Sequence, residues 1–406
     1  MRIEPETVKG FQDFLPPESQ KRQEIKRIIE EKFKAYGFLP IETPTIELDE
    51  LMRSDIVGKE DEAISDRFKL RDKGGRNLGL RYEFTFQLAR IFKQNPNIKL
   101  PAKIYQIGKN FRDEPLSFLR FREFTQCDAD IIGSSGIESE AECLSLFQSI
   151  FKDLKIKTEL KVNNRKLINA IIDSVKINEK LQVIRELDKI DKIGEDAVKG
   201  NLRKYAETGQ IITLFKLLEK PLDFFVENLF EGAKELKKLQ ELSKDYGFKV
   251  KFTPFLVRGL SYYTGNVFEF TTSEKKISIA GGGRYDKVIG KYTRRETPAC
   301  GISFGLERLS YFADVKIKPI KAILISLNQD TQTIKLAQKI RKENISCTIS
   351  FDKPSKALEY ANSYKIQNAI FIGKEEIEKK KFKLKNMKSG QEKYISEKQI
   401  ITALKK

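Results

Sequence analysis

Residues 102–133 alternate between residue types with period two, twice, around the short loop Pro115-Leu116-Ser117-Phe118-Leu119. That spacing commits them to two strands of one sheet. In the second arm, RFREFTQCDADIIG, Arg120, Arg122, Phe124, Gln126, Asp128 and Asp130 fall on one face, while Phe121, Thr125, Cys127, Ala129 and Ile131 fall mostly on the other. The first arm carries Arg112 and Glu114 beside the loop. A largely apolar back under a face this dense in charge is out of place on a sheet that meets only water, and natural for the floor of a site.

The surrounding pattern is mixed. ESQKRQEIKRIIEEKFKAY, residues 18–36, spaces Ile25, Ile28, Ile29, Phe33 and Tyr36 as one face of a helix that Gly37 stops. FLPIETPTIEL holds two prolines and suits an edge or interface strand. RFKLRDKGGRNLGLRYEFT predicts a hairpin around Lys73-Gly74-Gly75-Arg76 that leads into a helix over 85–95. Residues 164–247, which include LDKIDKIG, predict helix after helix, strands resume over 249–283, and ACGISFGLERL predicts a strand leading into a helix. After Val315-Lys316-Ile317-Lys318-Pro319 strands and helices alternate, the grammar of a small α/β domain. A chain of 406 residues exceeds one ordinary core. The fold class expected is α+β, built on an antiparallel sheet, with a C-terminal α/β domain.

The chain contains no histidine. This removes Ser-His-Asp and Cys-His catalysis, HExxH zinc hydrolysis and any imidazole base. Cys127, Cys143, Cys300 and Cys347 form no CxxC pair and are expected as reduced, buried thiols. No apolar run approaches a membrane span and MRIEPETVKG lacks an apolar signal core, so a cytoplasmic chain without a membrane partner is expected. Net charge is +18, and residues 318–406 hold 20 Lys and Arg against 9 Asp and Glu. Such an excess fits a polyanion partner, although Lys-rich composition also yields basic surfaces with none.

The glycines of IAGGGRYDKVIGKYT do not form a phosphate loop, because Tyr285 and Tyr292 occupy positions where a Walker A motif needs Gly and Ser or Thr. Gly281, Gly282 and Gly283 close a strand, either to admit a ligand against the backbone or simply to turn. Arg112, Arg120, Arg258 and Arg308 lie in or beside apolar strands or strand-to-helix turns. Single arginines in such places are usually salt-bridged structure. Four of them near Glu114, Gln126 and Asp130 look like a polyphosphate clamp, suited to nucleotidyl or phosphoryl transfer, which needs alignment and fixed charge more than proton transfer.

Several of these segments are similar to known motifs. FRDEPLSFLRFREFTQCDADIIG resembles motif 2 of class II aminoacyl-tRNA synthetases, ACGISFGLERL resembles motif 3, and Pro44 in IETPTIE sits where the motif 1 proline falls. RGLSYYTGNVFEF with AGGGRYD looks like the histidine-recognition motifs of the histidyl-tRNA synthetase family, and GFQDFLPPE like its N-terminal signature. The resemblance covers nearly the whole chain and is carried by the order of the motifs.

It implies ATP-dependent attachment of L-histidine to tRNA(His) through a histidyl-adenylate, with Mg2+ accompanying ATP, in a cytoplasmic homodimer. It implies two parts of a catalytic domain over 1–163 and 248–317, a helical insertion over 164–247 and an anticodon-binding domain over 318–406. At matching positions it implies Arg112 on the α-phosphate, Glu114 on the adenine edge, Phe124 stacked on the base, and Arg120 and Arg308 at the pyrophosphate. Glu83 and Thr85 would take the substrate amino group and Gln126 its backbone end. Asp130 and Tyr263 would face the imidazole, with Tyr262 bracing the opposite side. Arg258 would bridge the substrate carboxylate and the α-phosphate. The chain departs from the family pattern in the loop Pro115–Leu119, where many members carry an Arg-Pro-Gln-x-Gly type sequence, and in Asp130, where some have Glu. A regulatory subunit of ATP phosphoribosyltransferase built on the same fold is the alternative, as is a tRNA-binding module without catalysis.

Overall fold

A computed structural model of the protein describes residues 4–52, 66–257, 262–292 and 296–405. The chain divides into two compact units, Met1–Val315 and Lys316–Lys406.

The first unit opens with α1 (Glu18–Ala35), which buries Ile25, Ile29 and Phe33 and ends where Gly37 takes φ of 78°. The FLPIETPTIEL segment, expected as one strand, is split. β1 (Leu39–Pro40) and β2 (Ile46–Leu48) belong to different sheets, because Pro40 and Pro44 lack the N–H that would extend one ladder. β2 joins β3 (Lys69–Arg71) and β4 (Asn77–Leu80) in a three-stranded sheet whose β3–β4 turn is the expected Gly74-Gly75 hairpin. α2 (Thr85–Gln94) leads to the two long strands β5 (Ala102–Phe111) and β6 (Glu123–Ile132), then α3 (Ile137–Asp153) and β7 (Thr158–Asn164).

Helices α4 (Arg165–Ser174), α5 (Lys180–Leu187), α6 (Ile190–Ile193), α7 (Glu195–Leu202), α8 (Thr208–Leu218), α9 (Leu222–Glu227) and α10 (Ala233–Asp245) follow. The chain then returns through β8 (Lys251–Phe252), β9 (Asn266–Thr272), β10 (Ser278–Arg284), α11 (Asp286–Gly290), β11 (Ala299–Gly305) and α12 (Leu306–Phe312).

The main sheet has eight strands in the order β1-β5-β6-β11-β10-β9-β7-β8, antiparallel except for the outermost pair at each edge. Its back is the apolar side of β6: Cys127, Ala129 and Ile131 are at most 2% exposed and pack with α1 and α3 around Phe33, Phe147 and Phe304. The helices over 165–245 share that core through Leu167, Ile171, Leu214 and Leu239. Apolar surface from both ends of the first unit is thereby removed from water on one side of the sheet, which leaves the polar side of β6 free to face a ligand.

The second unit alternates β12 (Ala322–Ser326), α13 (Asp330–Lys342), β13 (Cys347–Ser350), α14 (Pro354–Ser363) and β14 (Asn368–Ile372), with β13, β12 and β14 parallel. After α15 (Lys374–Glu378) it adds the antiparallel pair β15 (Phe382–Asn386) and β16 (Glu392–Ile395) and closes with α16 (Glu397–Lys405). That hairpin is hard to see in the sequence because its strands are studded with lysine, a composition that also protects a sheet edge from pairing with another chain.

Candidate active site

One cavity of about 800 Å³ lies over the polar side of β6. Every described residue singled out as a site candidate lines it: Glu83, Thr85, Arg112, Glu114, Arg120, Phe124, Gln126, Asp130, Tyr262, Tyr263 and Arg308. Arg258 lies outside the described residues. Asp188, Asp191 and Lys192 of the LDKIDKIG stretch line the same cavity. Regular strand alternation begins only at Glu123. Arg122, expected on the site face, therefore pairs with Asp113 at 3.2 Å, while Phe121, expected on the back, lines the cavity.

At one end sit cations braced by aromatics. The Arg112 guanidinium lies 4.3 Å from the Tyr82 ring centroid and 5.1 Å from that of Phe124, and its Nε donates to the Tyr82 carbonyl at 3.4 Å. Ring faces attract a cation and restrict its rotamers. Glu114 accepts from Tyr82 Oη at 3.1 Å and pairs with Arg120 at 3.3 Å. Arg308, in the first turn of α12, donates to the Ser278 carbonyl at 2.7 Å.

At the other end three carboxylates are buried, and each is met by a hydroxyl. Tyr262 Oη donates to Glu83 at 3.3 Å, Ser303 Oγ to Asp128 at 2.5 Å, and Tyr285 Oη to Asp130. Gln126 accepts from Asn110 at 2.9 Å and donates to Asp128 at 2.9 Å. Burial raises the Glu83 carboxyl to about 7 against the opposing pull of Arg112 and the Tyr262 hydrogen bond. Burial likewise raises Asp130 to about 7, with Tyr285 opposing. Asp128 is pushed well above the carboxylate range by burial and then by the charge of Asp130. Three acids that resist ionisation until a cation arrives make a receptor for a positively charged group.

Backbone shapes this end. A Cβ on Gly282 would collide with the Gly301 carbonyl oxygen, and one on Gly301 with Asp130 Oδ1. The Tyr263 ring lies so close to Gly283 that a Cβ there would come within 2.7 Å of its Cδ1. At Gly282 and Gly283 neighbouring protein, the Gly301 and Asn266 carbonyls and the Tyr263 ring, takes the space a Cβ would fill, and the run lies within β10 and not at a turn.

Sequence reasoning gave no role to Tyr82, Asp128, Tyr285 or Ser303. Asp128 was detectable, since it shares the period of Gln126 and Asp130, and Tyr285 directly follows the glycine strand. Behind the sheet, Glu307 accepts from the Thr125 N–H at 3.0 Å and from Arg22 at 2.7 Å, and so ties α1, β6 and α12 together beside Arg308. Both partners are buried. Arg22→Ala is expected to cost about 3–5 kcal/mol, because Glu307 keeps its burial and loses its partner. Urea denaturation measures this, and Arg22→Ala combined with Glu307→Gln should recover part of the loss.

The cavity fits a nucleotide: it offers guanidinium groups for phosphate oxygens and an aromatic face at Phe124 for a base. Among the described residues no group of three or more Cys, Asp or Glu side chains could hold a metal ion.

Comparison with known proteins identifies the family. The family model described as histidyl-tRNA synthetase matches residues 10–309, and the anticodon binding domain model matches residues 321–406. Histidine–tRNA ligase 1 of Bacillus cereus (strain ATCC 10987) is 38% identical over 96% of this chain and 95% of its own length. The crystal structure of histidyl-tRNA synthetase from Nostoc sp. PCC 7120 superposes with a TM-score of 0.88 at 25% identity, covering 100% of this chain and 99% of that one. A Bacillus halodurans structure described as an ATP phosphoribosyltransferase regulatory subunit/histidyl-tRNA synthetase shares the fold, with a TM-score of 0.76 at 22% identity over 91% of this chain and 99% of its own. With one family model spanning well over half of its length and a full-length relative at that level of identity, the chain belongs to the histidyl-tRNA synthetase family.

Proposed function

We propose that this chain is an ATP-dependent ligase that joins L-histidine to tRNA(His) through histidyl-adenylate. The observation that carries the reading is the polarity of one cavity, with buried carboxylates at one end and braced arginines at the other. The zwitterionic substrate lies along that axis. Glu83 and Thr85 hold its ammonium group, Gln126 its backbone end, and Asp130 with Tyr263 its imidazole, while Tyr262 holds Glu83 in place.

In the first step a carboxylate oxygen of histidine attacks the α-phosphorus of ATP and the bond to the β-phosphate oxygen breaks, releasing pyrophosphate. No proton moves. The two reacting groups are both anions, so fixed guanidinium charge lowers the barrier. Arg112, and Arg258 on the sequence argument, serve the α-phosphate, and Arg120 and Arg308 serve the pyrophosphate. Phe124 and Glu114 hold the adenine by its face and edge. Mg2+, brought in with ATP and held by its phosphates, would shield their charge. A ribose hydroxyl of the tRNA then attacks the acyl carbon, the bond from that carbon to the phosphate oxygen breaks, and AMP leaves with the hydroxyl proton taken up by its phosphate.

Histidine-dependent exchange of pyrophosphate into ATP tests the reading. Folded protein that shows none under saturating substrates removes it and leaves the regulatory alternative, against which stand the retained cavity arginines and the anticodon binding domain match.

Histidine affinity should depend on pH. Glu83 and Asp130, each raised to about 7, bind more protons in the empty folded protein than in the unfolded chain. Stability of the empty protein therefore falls as pH rises from the ordinary carboxylate range to about 7. A cationic substrate needs the charged carboxylates, so its binding below pH 7 releases protons. Calorimetry in buffers of different ionisation enthalpy should show that release at pH 6.5, and about a hundredfold weaker binding at pH 6 than at pH 8, about tenfold from each carboxylate. Glu83→Gln should diminish both.

The protein acts in the cytoplasm as a homodimer. Supporting the dimer, Ile46, Leu48 and Leu70 are 40–48% exposed on β2 and β3 of the three-stranded sheet that follows Pro44, apolar surface suited to a second copy. Sedimentation at micromolar concentration should give twice the chain mass; a monomer would count against it. No helix among the described residues is long and apolar enough to cross a membrane.

A further inference from the structure

The hydrogen bonds around Gln126 run in one direction. Ser303 Oγ donates to Oδ1 of Asp128 at 2.5 Å and Gln126 Nε2 donates to its Oδ2 at 2.9 Å, so both oxygens of that carboxylate accept. Gln126 Oε1 is turned the other way and accepts from Asn110 Nδ2 at 2.9 Å. Asn110 lies on β5 and is fully buried, and its own Oδ1 meets no donor among the described residues. Strand register puts it there: Gly108 stands opposite Gln126 and Asn110 opposite Phe124, which sets the Asn110 amide diagonally against Gln126. Gln126 and Asp128 line the cavity, whereas Asn110 does not. The nitrogen of the Gln126 amide therefore lies toward the cavity and its oxygen away from it. One N–H of that nitrogen is left for a ligand.

We infer that Asn110 and Asp128 are positioning residues that hold the Gln126 amide with its nitrogen toward the substrate, so that it donates to the carboxylate of the amino acid. The inference rests on the ligase reading above, in which Gln126 takes the backbone end of histidine. The two ends of a carboxamide are nearly alike in shape, and its partners decide which end faces a ligand. A carboxylate only accepts. An N–H fixed in front of it binds it, whereas an amide oxygen in the same place leaves both groups unpaired away from water. Asp128 sets the direction, because an ionised carboxyl group has no proton to offer Gln126. Asn110 supplies the donor that occupies the oxygen at the far end. Asn110 satisfies one buried oxygen and leaves its own unmet, so the bond does not change the number of unpaired atoms. What it changes is orientation.

The test measures, by calorimetry on the full chain, affinity for histidine and for histidinol, whose hydroxyl in place of the carboxylate can accept or donate. Gln126→Leu should weaken histidine more than histidinol by about tenfold or more, the scale of a hydrogen bond to a charged group. Asp128→Asn and Asn110→Val should each weaken histidine more than histidinol by about fivefold, part of that contact, since the amide is then free to reverse. Combined with Gln126→Leu, Asn110→Val should add nothing to the difference, because a residue that acts through Gln126 has nothing left to act on. The two positions lie on different strands, so misfolding of one variant leaves the other as the test, and retained histidinol binding reports folded protein. Equal losses for the two ligands overturn the inference, since general damage to the pocket does not tell a carboxylate from a hydroxyl. So does a further difference when Asn110→Val is added to Gln126→Leu. Wild-type protein that binds no histidine is a separate failure: it removes the ligase reading and this inference with it.

Discussion

Arg112→Ala should slow histidine-dependent pyrophosphate exchange by about 10²–10³-fold, the loss seen when one fixed donor to a developing anion is removed. The expectation rests on where the guanidinium is held. Tyr82 and Phe124 lie 4.3 Å and 5.1 Å from it, and the Tyr82 carbonyl accepts from its Nε, so the group is oriented before substrate arrives. Preorganised charge costs no reorganisation at the moment of reaction. Arg112→Lys should recover little, because an ammonium cannot offer the planar fork to phosphate oxygens or stack on the rings in the same way. Binding of tRNA, measured by filter retention, should be nearly unchanged in both variants. A tRNA affinity that falls as far as the rate would show that Arg112 holds tRNA and not the α-phosphate. Arg258→Ala should lose exchange in the same way, on the sequence argument alone.

The second large effect is expected at Asp130. Asp130→Asn keeps the acceptor for the Tyr285 hydroxyl and removes the charge, so the fold should survive. The value of kcat/KM for histidine should fall about 100-fold, the scale of a hydrogen bond to a charged group that is buried away from water. The loss should shrink for a histidine analogue whose ring is a neutral triazole, which gains less from a carboxylate. Equal losses for histidine and the analogue would mean that Asp130 does not face the ring. Tyr285→Phe sets a useful contrast, since it removes the donor that steadies Asp130 and leaves the carboxylate itself.

Sequence periodicity made the floor of the site legible. Alternation along β6 put Phe124, Gln126, Asp128 and Asp130 on one face, because the pleat leaves no other choice once Cys127, Ala129 and Ile131 must be buried. The arginines were legible from their apolar settings. What local pattern could not supply was pairing across the chain. Tyr285 reaches Asp130 from 155 residues away, and only the register of β11 against both β6 and β10 brings them together. The same holds for Arg22 and Glu307, 285 residues apart. Neither has a sequence neighbour that announces it. The division of FLPIETPTIEL between two sheets and the β15–β16 hairpin were obscured for local reasons, the first by proline and the second by lysine.

The glycines of β10 and β11 bear on any effort to give this pocket a new substrate. Variant libraries usually begin with the residues nearest the ligand, and here Gly282 and Gly301 would be natural choices. Both are closed to substitution, one by a neighbouring main chain and the other by Asp130. Space for a bulkier amino acid has to come from shortening side chains such as Gln126 or Tyr263. With histidine placed as proposed, part of the selectivity is written in backbone, where directed evolution has the least purchase.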